Sequence, residues 1–234
     1  MNKKTYVFPK CKDRENEMQN IDGIARLFAF PNKPNIKKNN ITILDSGAYN
    51  LFKNGGYIDK GYMSRLSYYY EKYANYSDEV MCVAPDVFLN PMQSMFNIRK
   101  WFKNFYYGNV AAILQCDRKN YVDIEYLKQQ VDYYLSYTNI IFFSNNNLTG
   151  EQAKMFHLEE LFKYMKEQGV VWIHVLGAGW NLKDIRDWCS IDYFDSLDSI
   201  AYYATKDIKE YGSFDAIENV KNIVKLMEDI NNGV

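Results

Sequence analysis

Apolar and polar residues alternate along the chain in blocks that predict strands and helices in turn. Short runs of aliphatic and aromatic residues, each four to six residues long, are separated by longer stretches in which apolar residues recur every three or four positions. The short runs predict buried strands, and the longer stretches predict amphipathic helices that cover them. The predicted strands are Ile41–Leu44, Val80–Ala84, Val110–Leu114, Ile140–Phe143, Val170–Val175 and, from a weaker run, Ile191–Phe194.

Helices are predicted between the strands, and a further helix follows the last strand. Three of them begin at residue types that commonly cap helices, namely Asn90, Thr149 and Asn181. Most of the predicted strands begin about 30 residues apart, which is the length of a βα unit. The predicted helices are Lys60–Ala74, Pro91–Phe105, Tyr121–Tyr137, Gly150–Gln168, Leu182–Cys189 and Phe214–Ile230.

Polar residues or glycines follow the predicted strands at the point where each strand ends. In a closed barrel these carboxyl ends converge on one mouth, whereas in an open doubly wound sheet they spread along an edge. We therefore predict an α/β fold, a (β/α)8 TIM-type barrel that is compact or incomplete. It forms a single domain over residues 1–234, in which residues 1–40 are an irregular basic segment. The strand-end residues are, in chain order, Asp45, Asp86, Gln115, Ser144, Leu176 with Gly177, and Asp195.

The residues that follow the first predicted strand suggest a ligand site. Asp45 places a carboxylate at the mouth, Gly47 lets a ligand approach the backbone closely, and Tyr49 offers a ring to a flat ligand. The alternative interpretation of Asp45 is a helix N-cap or an Asx-turn. Because Asp86 and Asp195 also follow strands, the functional interpretation of Asp45 is favoured.

Composition excludes several classes of protein. The chain has 47% hydrophobic and 24% charged residues, which is ordinary for a globular protein. It has no apolar run of membrane-spanning length and no apolar signal-peptide core at its N-terminus, so a cytoplasmic location is expected. Its four cysteines lie far apart, and neither His174 nor His157 has a second ligand at metal spacing, so no metal and no cofactor are predicted. Cys82 and Cys116 are expected to be buried reduced thiols, and His174 is expected to be an interior histidine.

Positive charge is concentrated in the first forty residues. They hold nine Lys or Arg residues against four acids, a net charge of +5 in a chain whose net charge is −1. Such a segment can contact a polyanion, and the alternative is a solvated arm. The stretch Arg99–Lys103 combines basic and aromatic residues, and it is either a second phosphate contact or an ordinary helix face.

The strand-end residues resemble those of the tRNA-guanine transglycosylases. The stretch LDSGAYN resembles their Asp-Ser-Gly-Gly-aromatic motif, APDVF their next strand-end aspartate, AILQC their Val-Gln-Gly strand, HVLGAG their Leu-Met-Gly-Val-Gly stretch and YFDSLDS their nucleophile strand. These motifs occur in the same order over residues 41–199. The zinc-site cysteines that follow the nucleophile strand in those enzymes have no counterpart after Cys189. In size and in this respect the chain looks closer to the compact 7-deazaguanine DNA transglycosylases of phages and bacterial islands.

The resemblance implies an enzyme that replaces guanine in a nucleic acid, DNA rather than tRNA, with a 7-deazaguanine base. Asp195 matches the nucleophile, which would form a covalent aspartyl-sugar intermediate. Asp198 and Asp192 are the alternatives for that role. Asp45 would move the proton on the departing and arriving bases. A homodimer or a partner subunit is left open as a source of further basic surface.

The resemblance also implies how the base is bound. Asp86 would accept from the N1–H and amino group of a guanine-like edge, and Gln115 would donate to its carbonyl oxygen. Tyr49 and Leu176 would sandwich the ring. The remaining predicted contacts are Ser46, Gly47, Ser144 and Gly177.

Three other interpretations of the site remain open on the sequence. The polymer could be tRNA rather than DNA. A carboxylate-dependent N-glycosidase acting on free nucleosides would keep Asp45 and Asp195, but it would not need the pair Asp86 and Gln115. A non-catalytic nucleic-acid-binding subunit would not need the set of carboxylates.

Overall fold

The computed structural model describes residues 3–10, 15–18, 20–21, 24–105, 108–179, 181–199 and 216–233. Eight parallel strands are hydrogen-bonded in chain order, and the last pairs with the first, so the predicted closed (β/α)8 barrel is confirmed. The strands are β1 (Thr5–Pro9), β2 (Ala25–Ala29), β3 (Thr42–Asp45), β4 (Val80–Val83), β5 (Asn109–Leu114), β6 (Ile140–Ser144), β7 (Trp172–Leu176) and β8 (Ser196–Asp198). The α-helices are α1 (Glu15–Met18), α2 (Ala48–Lys53), α3 (Lys60–Tyr73), α4 (Pro91–Asn104), α5 (Ile124–Tyr134), α6 (Gly150–Met155), α7 (Leu158–Glu167), α8 (Leu182–Cys189) and α9 (Ala216–Asn232).

The first forty residues supply two barrel strands, so the prediction of an irregular basic segment is wrong for the described residues. Charged residues within and beside these strands hid them in the sequence pattern. Arg26 of β2 is buried and its Nη2 atom lies 2.8 Å from Oε2 of Glu15. Lys4 is also buried, and its ammonium donates to the backbone carbonyls of Cys189 and Ile191. These two cations are therefore part of the folded body rather than of a solvated arm.

The last strand lies later in the chain than predicted. The apolar run Ile191–Phe194 is not a strand, because Tyr193 has a positive φ of 69° that interrupts an extended backbone. The buried side chains of Ile191 and Phe194 instead join the core outside the barrel. The strand is Ser196–Asp198, so Asp195 precedes it rather than ending it.

The predicted helices within the described residues are present, but one of them is divided into two. The predicted helix Gly150–Gln168 is two helices, α6 and α7, separated at His157, whose φ is +55°. All three predicted N-caps are confirmed, and Thr149 forms the full capping box with Gln152. The start predicted for the last helix, at Phe214, lies outside the described residues. Within the described residues, no helix combines the length and the apolar character needed to cross a membrane.

Two layers of core hold the barrel. The inner layer is filled by side chains that point into the barrel, among them Val7, Ile43 and Phe142. A larger apolar layer lies between the strands and the helices and includes the buried free thiols of Cys82 and Cys116, as predicted. The carboxyl ends of the strands therefore form a mouth above a packed interior, where they position the candidate site.

Candidate active site

Strand alternation decides which polar side chains face the barrel interior. Successive side chains in a strand point to opposite faces, so residues two apart share a face. Ile43 of β3 and Ile113 of β5 belong to the inner core. Asp45 and Gln115 lie two positions further toward the mouth, and they therefore face the same interior. The sequence prediction that both belong to one mouth agrees with this geometry.

Asp86 and Gln115 form a buried, hydrogen-bonded pair. Gln115 Nε2 donates to Asp86 Oδ2 at 2.6 Å, and Ser46 Oγ donates to Asp86 Oδ1 at 3.1 Å. Gln115 is itself fixed by Gln130 of α5, whose side-chain amide accepts from its backbone N–H at 3.1 Å and donates to its carbonyl at 3.0 Å. The pair is thus oriented before any ligand arrives. Ser46, predicted as a base contact, holds Asp86 in this structure.

Asp45 is an acid whose protonation changes near neutral pH. Removal from water, together with the neighbouring carboxylates of Asp86 and Asp198, raises its pKa to about 7, against the opposing hydrogen bond from the Gly47 backbone. That bond, from Gly47 N to Asp45 Oδ2, is 3.0 Å long. Burial likewise raises the pKa of Asp86 to about 6, opposed by its hydrogen bonds to neighbouring side chains, first that to Ser46. The mouth therefore holds mutually interacting acids.

Position 47 requires glycine for a reason that differs from the predicted approach of a ligand. Its φ is +74°, and a Cβ atom there would lie 2.5 Å from the carbonyl oxygen of Phe30. The close approach is thus between two segments of this chain, not between the chain and a ligand. The same turn is held by Tyr62, whose hydroxyl donates to the carbonyl of Ser46. Together these contacts fix the direction of Asp45.

Asp198 ends β8 at the mouth and is held by a buried hydrogen-bonded relay. Trp172 Nε1 donates to Ser196 Oγ at 2.9 Å, Ser196 Oγ lies 2.8 Å from His174 Nδ1, and His174 Nε2 lies 3.1 Å from Asp198 Oδ1. Because a carboxylate oxygen only accepts, His174 Nε2 donates to Asp198. In the neutral ring Nδ1 then accepts the hydrogen of the Ser196 hydroxyl, which itself accepts from Trp172. The backbone N–H of Gly177 donates to the same carboxylate oxygen at 3.0 Å.

Asp195 lies at the opposite end of the barrel from Asp198. Asp195 Oδ2 accepts from Lys166 Nζ of α7 at 2.7 Å and from the backbone N–H of Ile173, near the start of β7, at 2.6 Å. Its predicted position at the mouth, as the nucleophile, is therefore wrong. Asp192 lies in the turn before β8, on the same side as Asp195, whereas Asp198, the other alternative, occupies the mouth.

Tyr49 and Leu176 lie on opposite sides of the mouth. Tyr49 belongs to α2, directly after β3, and Leu176 ends β7, which is four strands away in a ring of eight. The Tyr49 side chain is 52% exposed, and its ring meets Phe88 edge-on with centroids 5.1 Å apart. Ser144, at the end of β6, shares the interior face of Phe142. Their predicted roles in binding a flat ring stay predictions.

Sequence reasoning missed the residues that position the site. His174 was predicted to be interior, which is confirmed by its complete burial, but its contact with Asp198 was not anticipated. Gln130 and Asn145 were also missed; Asn145 Nδ2 donates to the carbonyl of Gly177 at 2.7 Å. Register could have revealed the histidine, because His174 pairs with Ser196, two residues before Asp198. Among the described residues, no cluster of three or more His, Cys, Asp or Glu side chains is arranged to hold a metal ion.

Comparison with known proteins establishes the fold alone. No protein-family model matches the chain, and no curated protein matches it either. Among solved structures, "QR15, an Aldolase" is 14% identical with a TM-score of 0.52, covering 95% of this chain and 96% of that one. The carboxyl transferase domain of Rhizobium etli pyruvate carboxylase is 14% identical with a TM-score of 0.42, covering 83% of this chain and 35% of that one. Tryptophan synthase from M. tuberculosis is 9% identical with a TM-score of 0.40, covering 100% and 93%.

Proposed function

We propose that this protein is a base-exchange transglycosylase that replaces guanine in a nucleic acid with a 7-deazaguanine base. The observation that carries the proposal is the arrangement at the mouth. Asp198, the nucleophile candidate, is hydrogen-bonded to His174. The carboxylate of Asp198 is among the groups that raise the pKa of Asp45, and a pKa of about 7 suits Asp45 to carry a proton near neutral pH. The hydrogen-bonded pair Asp86 and Gln115 offers the donor and acceptor that a guanine edge requires.

The first half of the reaction removes guanine. A carboxylate oxygen of Asp198 attacks the anomeric carbon of the sugar, and the bond from that carbon to N9 of guanine breaks. The electron pair of the broken bond goes to the base, and protonated Asp45 supplies the proton that neutralises it. The products are free guanine, ionised Asp45 and a sugar ester of Asp198. His174 keeps its proton on Nε2 and orients the attacking carboxylate.

The second half inserts the new base. Ionised Asp45 takes the N9 proton of the incoming 7-deazaguanine as that nitrogen attacks the anomeric carbon. The sugar–oxygen bond to Asp198 breaks, and its electron pair returns to the carboxylate. Both aspartates end in their starting protonation states, so the cycle needs neither nucleotide energy nor a cofactor.

The pair Asp86 and Gln115 separates this proposal from a nucleosidase that only hydrolyses. One hydrogen of Gln115 Nε2 is used on Asp86, which leaves the other for the carbonyl oxygen of guanine. Asp86 retains lone pairs for the N1–H and amino group. Since both guanine and 7-deazaguanine present this edge, one pair can recognise the departing and the arriving base. DNA is proposed over tRNA on the sequence resemblance.

The test is to incubate the protein with labelled 7-cyano-7-deazaguanine and either duplex DNA or tRNA. Label in DNA supports the full proposal, and label in tRNA alone corrects the polymer while leaving the site argument intact. The Asp198→Asn variant should incorporate no label and should not form the covalent adduct that denaturation traps in the unmodified protein. Release of guanine without incorporation of label would instead indicate a hydrolase.

A further inference from the structure

A cavity of about 260 Å³ opens beside Asp86, between α2, the chain that follows α2, and α4. Its walls are largely apolar, and Asp86 contributes to both this cavity and the mouth, so the two spaces adjoin. The residues that line it and matter here are Leu51, Phe52, Tyr57, Val87 and Asn97.

Asn97 lines this cavity and carries an unpaired hydrogen-bond donor. Its side chain is 3% exposed, and its Oδ1 accepts from Gln93 Nε2 at 3.0 Å. Its Nδ2 atom is buried and has no hydrogen-bond partner among the described residues. Buried amide N–H groups are nearly always paired, so this position calls for an acceptor from a ligand. Because the Nδ2 group only donates, a partner here has to be a carbonyl or a similar acceptor.

The rim of the cavity offers aromatic rings. The side chains of Phe52 and Tyr57 are 50% and 77% exposed, which is unusual for residues of this size. Phe52 packs against Phe88 with centroids 5.6 Å apart. Lys53 lies at the same rim, with its ammonium 5.9 Å from the centre of the Tyr49 ring. Exposed rings, one buried donor and a nearby cation suit a flat ring that bears a carbonyl and is attached to a phosphate.

We propose that this cavity binds a second nucleobase, the neighbour of the exchanged guanine in the same strand. The inference rests on the proposed function, since it assumes a nucleic-acid substrate at the mouth. The neighbouring base would stack on Phe52 or Tyr57 and accept from Asn97 Nδ2 through a ring carbonyl. Sharing Asp86 as a common wall places the cavity within reach of a nucleotide adjacent to the target. The protein would therefore prefer targets next to a carbonyl-bearing base.

The experiment uses an oligonucleotide in which pyrrolocytosine, a carbonyl-bearing base whose fluorescence is quenched by stacking, flanks the target guanine. Binding to the full chain should quench it, and both Phe52→Leu and Asn97→Leu should abolish most of that quenching. The preference for a carbonyl-bearing neighbour should fall about tenfold in Asn97→Leu, because that variant cannot form the hydrogen bond from the buried amide. Asn104→Leu, an exposed asparagine on the same helix, is the matched control and should behave as the unmodified protein.

The outcomes separate this inference from the proposed function. Asp198→Asn should stop exchange and keep the quenching, since binding of the neighbour does not need the nucleophile. Exchange that depends on Asp198, combined with quenching and neighbour preference unaffected by Phe52→Leu and Asn97→Leu, overturns the second base site alone. If those two variants change only the KM for the incoming base, the cavity serves that base and the inference is wrong. If the unmodified protein exchanges no base in DNA and none in tRNA, the proposed function is overturned instead.

Discussion

Two aspartates three residues apart, Asp195 and Asp198, lie at opposite ends of the same barrel. Asp195 sits just before β8, where its carboxylate pairs with Lys166 at 2.7 Å and accepts a backbone N–H. Asp198 ends β8 at the mouth, where it contacts a buried histidine and shares the interior with two further acids. Because their separation is odd, strand alternation alone directs them to different faces. Sequence proximity to a motif therefore does not decide which carboxylate can act.

The two ends of the barrel differ in the charges that surround their carboxylates. At the amino end, the charge of Asp195 is matched by a cation, and the contact ties α7 to the sheet. At the mouth, the neighbours of Asp45 that affect its pKa include two carboxylates, which is unfavourable for folding. In barrel proteins the amino end is associated with stability and the carboxyl end with chemistry. Substitutions at the two ends should therefore fail in different ways.

The largest expected difference is between Asp198→Asn and Asp195→Asn. Loss of the nucleophile should lower exchange by about 10⁴-fold or more, with little change in the free energy of unfolding. Asp195→Asn should instead cost about 1–3 kcal/mol of stability, because Lys166 loses its partner, and leave exchange nearly unchanged below the unfolding temperature. Single-turnover exchange and urea unfolding of both variants measure the two effects. The opposite pattern would return the nucleophilic role to Asp195.

Most of the fold was predictable because it follows from periodicity. Continuous apolar runs such as Val80–Ala84 and Ile140–Phe143 identify strands buried on both faces, and capped amphipathic stretches identify the helices between them. The first two strands were missed because Arg26 and Lys4 carry charge there, and only tertiary contacts reveal where those charges are neutralised. The turn at Tyr193 was missed because its positive φ leaves no mark in composition.

Part of the site was predictable because polar residues directly after buried strands point to a barrel mouth. This placed Asp45 and Gln115 correctly at the mouth. It failed for Asp195 because a shift in strand position changes both the end and the face of the barrel that a residue occupies. It also could not find Asn97, whose unpaired amide is visible only once α4 is packed against the loop after β4.

Base recognition is the second expected effect at the mouth. Asp86→Ala should weaken guanine-type bases by about 10- to 100-fold relative to bases lacking the same edge, because a buried donor pair on the base loses its acceptor. Competition by free guanine and by unrelated bases measures the selectivity. Ser94→Ala, which removes the α4 hydroxyl that accepts from the backbone N–H of Val87 beside Asp86, serves as a control for general damage to this loop. Equal loss for all bases would contradict the edge-reading role.

The pH dependence should distinguish the mouth from the amino end. Protonated Asp45 is needed to release guanine, so the single-turnover rate of that step should fall about tenfold per unit above pH 7, where Asp45 ionises. Since the folded pKa of Asp45 lies above that of an unfolded aspartate, the folded state binds the extra proton between about pH 4 and 7. The contribution of Asp45 to stability is thus largest at the acid end of this window and is lost as the pH rises through it.

Asp45→Asn is the variant that checks both consequences. It should remove the decline in rate above pH 7 along with most of the activity. It should also make stability fall less between about pH 4 and 7, where the remaining fall comes from Asp86, whose pKa is raised to about 6. Asp195→Asn, at the opposite end of the barrel, should leave the pH profile of the rate unchanged. A rate that keeps its decline near pH 7 in Asp45→Asn would assign that proton to another group.

His174 should have a smaller effect, about tenfold on kcat, because it positions Asp198 and does not touch the substrate. His174→Gln keeps a side-chain N–H donor and should retain more kcat than His174→Leu, with KM for the polymer unchanged in both. Thermal unfolding of the two variants separates positioning from packing, because both disturb the contact with Phe142. Equal kcat in the two variants would show that the donated hydrogen bond has no part in exchange.

The smallest expected effect is on phosphate binding, and it again contrasts the two ends. The basic N-terminal segment was one candidate for a phosphate contact, but Lys4 of that segment is buried and cannot make one. Arg118 and Lys119 are exposed in the loop after β5, at the mouth, whereas Arg99 and Lys103 lie in the second half of α4, which runs back toward the amino end. Neutralising Arg118 and Lys119 together should lower the salt-dependence slope of DNA binding by about two units, roughly one for each phosphate that the protein no longer neutralises. The matched double variant, Arg99→Gln with Lys103→Gln, should leave that slope unchanged. If the slope changes only in this second double variant, the polymer binds at the side of the barrel and not at its mouth.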